Sequence, residues 1–226
     1  MNAELPRIET ATKTGDEPFH ADRENRPQTL LDYWRWAGSD LVSNAQRGIL
    51  GEFLVGSALQ MTDRVRREWD AYDVRTPSGL TVEVKTSAYI QSWAQTDYSR
   101  IQFDIAPHKS WDAKDNTFDS VNRRSADVYV FSLLAHRDQN SIDPLNVNHW
   151  EFYVLATSVL DERCGEQKTI QLGPLKALKP EQPTYETLRE TVERIVGDLT
   201  VWNDGADGAA LNGAGPRCQS AADSTS

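Results

Sequence analysis

From Leu80 to Gln91 the chain alternates without a break. Val82, Val84, Thr86, Ala88 and Ile90 share one parity, and Glu83, Lys85, Ser87, Tyr89 and Gln91 share the other. Strand side chains point to opposite faces in turn, so this segment reads as a β-strand with one apolar and one polar face. Thr76-Pro77-Ser78-Gly79 just ahead supplies turn chemistry, and Ala71 to Arg75 supplies a second extended run, which together predict a hairpin. The hairpin brings Asp73 on its first arm toward Glu83 and Lys85 on its second. Two carboxylates can hold a hard divalent cation through oxygen. A lysine two residues from Glu83 leaves the strand on the same face, where it would stand beside an attacking water or a phosphate.

The acid-x-Lys triplet alone carries little weight, because this sequence holds it three times: Glu83-Val84-Lys85, Asp112-Ala113-Lys114 and Glu166-Gln167-Lys168. Only the first lies in an alternating segment. A competing reading is that of any half-exposed antiparallel strand, with Glu83 and Lys85 as solvated neighbours and Asp73 merely opening the hairpin.

A second element bears on the choice. Between Arg47 and Gln60, Leu50, Phe53 and Leu54 form a stripe at helical spacing, and Ile49, Val55 and Leu59 carry the apolar surface most of the way round. A helix apolar on nearly all sides is expected to be buried, with Ser43 or Asn44 as its cap. Glu52 is the only charged residue between Arg47 and Asp63. A buried carboxylate needs a partner, a proton or a metal. Glu52 therefore either forms an internal salt bridge, to Arg47 or a downstream arginine, or is a third acid aimed at Asp73 and Glu83.

The order of a helix with an inward Glu, then an Asp, then a strand with Glu-x-Lys resembles the restriction-endonuclease-like fold of the PD-(D/E)xK nuclease superfamily. The resemblance runs from about Leu30 to Leu160. It departs from the pattern at Tyr72, where many members carry proline. Tyr33-Trp34-Arg35-Trp36, the stretch from Arg47 to Leu54, Ala126 to Phe131 and Trp150 to Leu155 resemble bacterial proteins of unassigned function built on this core. The resemblance implies an α/β (mixed α+β) domain with a central mixed sheet of about five strands flanked by helices. It also implies a nuclease that hydrolyses phosphodiester bonds with Mg²⁺ or Mn²⁺. Asp73, Glu83 and Glu52 would be its metal ligands and Lys85 its transition-state donor. Gln91, on the parity of Lys85, would be a further polar residue near the substrate.

The formal charge of −10 argues against binding nucleic acid through bulk charge. The charge is uneven, however. Leu41 to Asn140 holds twelve basic and thirteen acidic residues, and the remainder twelve and twenty-one. A locally basic groove is compatible with those counts, with Arg64, Arg66, Arg67, Lys109, Lys114, Arg123 and Arg124 as candidates for phosphate contacts. Tyr89, Trp93, Tyr98 and Trp111 are candidates for stacking on bases. Cys164 and Cys218 make neither a metal spacing nor a disulfide framework. No apolar run reaches the roughly 18 residues of a membrane span, and the polar first 27 residues lack a secretory core. A cytoplasmic bacterial or phage-type protein acting on DNA, with a homodimer left open, fits these features.

Residues 1–27 read as disordered, 28–202 as the nuclease-like domain and 203–226 as a flexible tail. Inside the domain, Thr29 to Trp36 is expected as a short helix with Leu30, Leu31, Tyr33 and Trp34 facing inward, and Ala126 to Leu134 as a buried central strand. His108 to Arg124 reads as a long loop. Trp150 to Leu155 reads as the next strand, Thr157 to Leu160 as a short helix and Tyr185 to Val196 as an amphipathic helix. Two rivals remain. One is an inactive domain of the same fold that binds nucleic acid or a partner protein. The other is an enzyme using Glu52 and Glu83 as an acid/base pair, which leaves Asp73 and Lys85 without a task.

Overall fold

Residues 8–68, 70–109, 111–112 and 117–205 are described by the structure, a computed structural model, with backbone alone at 111–112 and 198–205. The strands are β1 (Pro18–Ala21), β2 (Glu24–Thr29), β3 (Val74–Arg75), β4 (Thr81–Ala88), β5 (Gln102–Asp104), β6 (Trp111–Asp112), β7 (Thr117–Phe118), β8 (Val128–Leu134), β9 (Trp150–Ala156) and β10 (Thr169–Gln171). The α-helices are α1 (Leu30–Gly38), α2 (Asn44–Ala58), α3 (Thr157–Cys164), α4 (Leu172–Ala177) and α5 (Leu188–Gly205).

The most apolar segment decides the centre. Every residue of β8 is buried, as a strand covered on both faces must be. It lies in a four-stranded sheet of order β3-β4-β8-β9. β4 runs parallel to β8, with Val82 opposite Val128 and Ala88 opposite Leu134, while β3 and β9 are antiparallel to their neighbours. The parallel register is clipped at its start, where Asp127 accepts from both the Thr81 amide (2.9 Å) and the Thr81 hydroxyl (2.7 Å). The architecture is thus the expected mixed α/β core, with four strands where about five were anticipated. On the outer edge of β9, Val154 and Glu181 exchange backbone hydrogen bonds of 2.8 and 3.0 Å in the place a further strand would take.

Two apolar layers sandwich the sheet. Val82, Val84, Val130 and Val154 pack with Leu54, Val55 and Leu59 of α2 and with Leu188 and Val192 of α5. On the opposite face, Tyr129, Phe131 and Tyr153 pack with Phe103 of β5, Leu160 of α3 and Ile170 of β10. β5 and β10 pair with each other as a ribbon over that second layer. β4 is therefore not a half-exposed antiparallel strand: its polar side, which carries Glu83 and Lys85, faces the second layer.

Several local expectations change. α2 is buried along one stripe only, and Ile49 and Phe53 are exposed. Its N-cap is Ser43, whose hydroxyl donates to the Asp40 carbonyl instead of accepting from the helix. α1 has the expected start, with a capping box between Thr29 and Asp32, but no residue of it is buried, and Tyr33, Trp34 and Trp36 are exposed. The chain from residue 8 to 27, expected to be disordered, carries the β1–β2 hairpin, and the Leu30 and Leu31 amides donate back to the Glu17 and Gly15 carbonyls. Cys164 is disulfide-bonded, so it lends no support to a reducing compartment. Residues 1–7 and 206–226 lie outside the described residues, as does most of the anticipated tail. Among the described residues no helix is long and apolar enough to cross a membrane.

Candidate active site

The hairpin that carries the site is closed by Thr76-Pro77-Ser78-Gly79. Gly79 has φ +92°, a conformation glycine adopts freely, and its amide donates to the Thr76 carbonyl at 2.9 Å. The turn sets Val74 against Val82 and Arg75 against Thr81. β3 ends there, because it is only two residues long. The edge of β4 is then open at Val84, and Asp73 takes over: its own amide donates to the Val82 carbonyl at 3.0 Å, and its Oδ2 accepts the Val84 amide at 2.7 Å. The carboxylate stands where the missing strand would have continued.

Glu83 is 8% exposed, and its Oε1 accepts from Lys85 Nζ at 2.6 Å. The contact requires both side chains on one face, as their shared parity dictates. Burial pulls the Lys85 ammonium down, but the Glu83 charge and hydrogen bond, with Asp73 behind them, outweigh it and hold the group above its ordinary value. Asp73 shifts the other way for an acid. Desolvation, then the charges of Glu83 and Glu52, push its carboxyl up to about 7. Asp73 also borders open water in the adjoining cleft, and that screening works against the full shift.

Glu52 reaches this neighbourhood because α2 sits close against β4. A Cβ on Gly51 would meet Thr86 Oγ1 at 2.6 Å, so only glycine allows the approach. The salt-bridge reading of Glu52 is the one the structure shows. Glu52 is ion-paired with a downstream arginine, through two contacts to Arg66 (Nε to Oε2, and Nη2 to Oε1 at 2.8 Å), and its charge also bears on Asp73. Arg47, the other candidate partner, is buried and donates instead to the Val42 carbonyl (2.7 Å) and to Gln91 Oε1 (3.1 Å). Gln91 is consumed by that network, since its Nε2 donates to the Ala88 carbonyl and to Ser99 Oγ. The structure thus brings together Glu52, Asp73, Glu83 and Lys85 and sets Gln91 in a separate buried cluster.

Asp73 opens onto a cleft of about 670 Å³ whose wall includes Arg64, Arg66, Arg67 and Arg75. The first three were among the expected phosphate-binding residues. Arg75 was missed, although its place in the hairpin two residues after Asp73 was the available signal. Residues 8–12 form another part of the wall, and Glu9 lies 3.9 Å from Arg67. Arg124 serves the fold instead: its buried guanidinium donates to the Ile105 carbonyl (2.8 Å), to Asp161 (2.6 Å) and to the Gly165 carbonyl (2.7 Å). Arg123 pairs with Asp119 at 2.8 Å. Tyr89 and Tyr98 hold Arg137 between them, at 4.0 and 5.6 Å from their ring centres, whereas Trp93 is exposed. Lys114 and the Trp111 side chain lie outside the described residues.

Residues 30–172 match the family model of bacteriophage T4 endonuclease IV. The chain belongs to that family. The match makes the domain one of nuclease type, and it spans α1 to the first residue of α4, with Glu52, Asp73, Glu83 and Lys85 inside it. No curated protein matches the chain.

The donor set is chemically suited to a hard cation: three carboxylates, with neither His nor Cys. The Asp73 carboxyl is pushed up by desolvation first and then by the charges of Glu83 and Glu52. Among the described residues, no three His, Cys, Asp or Glu side chains are grouped closely enough for one ion to touch all. Glu83 and Glu52 are turned toward Lys85 and Arg66 instead, and a cation would have to draw them off.

Proposed function

We propose that this chain is a divalent-metal-dependent endonuclease that hydrolyses phosphodiester bonds in DNA on a restriction-endonuclease-like core. The observation that carries the reading is the convergence of Asp73, Glu83 and Lys85 at the open edge of β4, beside an arginine-walled cleft. Membership of the endonuclease family supports the reaction class and DNA as substrate.

Asp73 and Glu83, with Glu52 directly or through water, would hold Mg²⁺ or Mn²⁺. When bound, that cation would polarise the phosphate and lower the pKa of water. The chain's own residues do the rest. Arg64, Arg67 and Arg75 offer planar donor forks to phosphate oxygens and set the strand's position without reading its sequence. Lys85 is held as an ammonium by Glu83, so it can donate to the charge that grows on the phosphate in the transition state. The Val84–Asp73 hydrogen bond fixes the carboxylate relative to the strand that carries Glu83 and Lys85, which keeps the groups in one frame.

The test is cleavage of supercoiled plasmid and of labelled duplex, with Mg²⁺, with Mn²⁺ and in excess EDTA, for the wild type and Lys85→Ala. Cutting is expected only with metal. Lys85→Ala should lose at least about a hundredfold in rate, the scale of one transition-state donor, in a protein that still folds but melts at a lower temperature, because Glu83 loses its partner. Undiminished cleavage in EDTA would refute the mechanism, and a Lys85→Ala protein that cuts at wild-type rate would remove Lys85 from it.

A further inference from the structure

We infer that Arg66 competes with the metal ion for Glu52 and, once displaced, becomes a phosphate-binding residue of the same site. The inference rests on the nuclease reading above. Arg66 contacts both carboxylate oxygens of Glu52, Nε to Oε2 and Nη2 to Oε1. That fork uses up the acid that α2 delivers toward Asp73. The pair is only partly buried, with the Arg66 side chain 40% exposed and that of Glu52 18%. Ion pairs in such settings are weak, so this one can be exchanged.

The same guanidinium lines the cleft that Asp73 opens onto, between Arg64 and Arg67 in sequence. A divalent ion taking Glu52 brings two positive charges to a carboxylate whose oxygens the arginine already occupies. The guanidinium then turns toward the cleft. There a phosphate is the anion that matches its planar donor geometry. Metal binding and DNA binding are thereby coupled through one side chain. Such coupling is reciprocal: metal strengthens DNA binding by the factor that DNA strengthens metal binding.

The experiment uses the full chain as wild type, Arg66→Gln and Arg66→Lys, with folding checked by circular dichroism melts. Mg²⁺ affinity is measured by titration calorimetry without DNA. Affinity for a short labelled duplex is measured by fluorescence anisotropy in EDTA and in Ca²⁺, which takes the same oxygen ligands. Mg²⁺ should bind about two- to fivefold more tightly to Arg66→Gln, the range that partly exposed ion pairs span. Arg66→Lys, which keeps the charge but loses the fork, should fall between. Ca²⁺ should strengthen duplex binding in the wild type and do so several-fold less in Arg66→Gln. Mg²⁺ affinity that is unchanged or weaker in Arg66→Gln overturns the inference and leaves the nuclease reading standing. Tighter Mg²⁺ binding with an undiminished Ca²⁺ effect on DNA overturns the phosphate-binding half. A wild type that binds no Mg²⁺ overturns both the inference and the metal-dependent reading beneath it. Should Arg66→Gln fail to fold, Arg66→Lys decides by the same criteria.

Discussion

Gly51→Ala tests how α2 is placed against β4, and with it how Glu52 reaches the site. The added Cβ would lie 2.6 Å from Thr86 Oγ1 and 3.3 Å from Thr86 Cγ2. Neither atom can swing away easily, because Thr86 is β-branched and sits on a strand paired residue for residue with β8. Overpacking of this kind costs about 1–3 kcal/mol. Replacing an interior helical glycine by alanine returns about 1 kcal/mol of propensity. Gly51→Ala alone should therefore destabilise by about 1 kcal/mol. Thr86→Ala removes Oγ1 and Cγ2 and leaves its Cβ 3.6 Å from the new methyl, an ordinary contact. In that background the same Gly51→Ala change should become stabilising by up to about 1 kcal/mol, since only the propensity gain is left. Urea unfolding of wild type, both single variants and the double variant gives the interaction energy directly, expected at about 1–3 kcal/mol. Cleavage should fall in Gly51→Ala and recover in the double variant, because Glu52 is the next residue on the helix. Additivity within about 0.5 kcal/mol would refute the close approach of α2 to β4.

Three further outcomes are expected. Arg124→Met should cost about 2–4 kcal/mol in urea unfolding, because the Ile105 and Gly165 carbonyls and Asp161 lose a buried donor, and a loss under 0.5 kcal/mol would show that solvent replaces it. Asp73 has a folded pKa above its unfolded value, so the folded state binds the extra proton: without metal, stability should decline as pH rises from about 4 to about 7, and Asp73→Asn should flatten that stretch of the melting profile. Deleting residues 1–12 should leave the melting temperature within a few degrees of wild type, whereas deleting residues 1–27 should lower it sharply, because the second cut removes β1, most of β2 and the Glu17 and Gly15 carbonyls that receive the first amides of α1.

The hairpin and the central strand were legible because their signals are local. The alternation of residues 80–91, the Pro-Ser-Gly turn and the unbroken apolar run of β8 each follow from backbone geometry over a few residues. The ends of α2, the ribbon partner of β5 and the parallel sense of β4 were not, since they depend on which segments meet across the sheet. Period-2 patterning says only that two faces differ. That the polar face of β4 lies under a second apolar layer could not be read from it, and this is what turns Glu83 and Lys85 from solvated neighbours into a partly buried pair. Glu52 was singled out by its isolation in an apolar helix, a sound signal, but its partner Arg66 lies fourteen residues away in a segment without periodicity. Gln91 had the right parity and still missed the site, because β4 ends at Ala88 and the chain turns before reaching it. The β1–β2 hairpin was invisible for the opposite reason: its residues are nearly all exposed, so no apolar pattern marks it.

The brevity of β3 explains why the acids gather where they do. A strand continuing past Val74 would pair its own carbonyl with the Val84 amide, and a side chain at position 73 would then simply follow the pleat. Because pairing stops there, a donor on β4 is left for a carboxylate, and Asp73 binds it at 2.7 Å. This gap also makes the resting state self-limiting. Three carboxylates brought this near one another repel, and the structure offsets that with Lys85 on Glu83, Arg66 on Glu52 and a raised pKa on Asp73. On the proposed reading, a cation bound by Asp73, Glu83 and Glu52 would have to displace Lys85 and Arg66 from these carboxylates and the proton from Asp73.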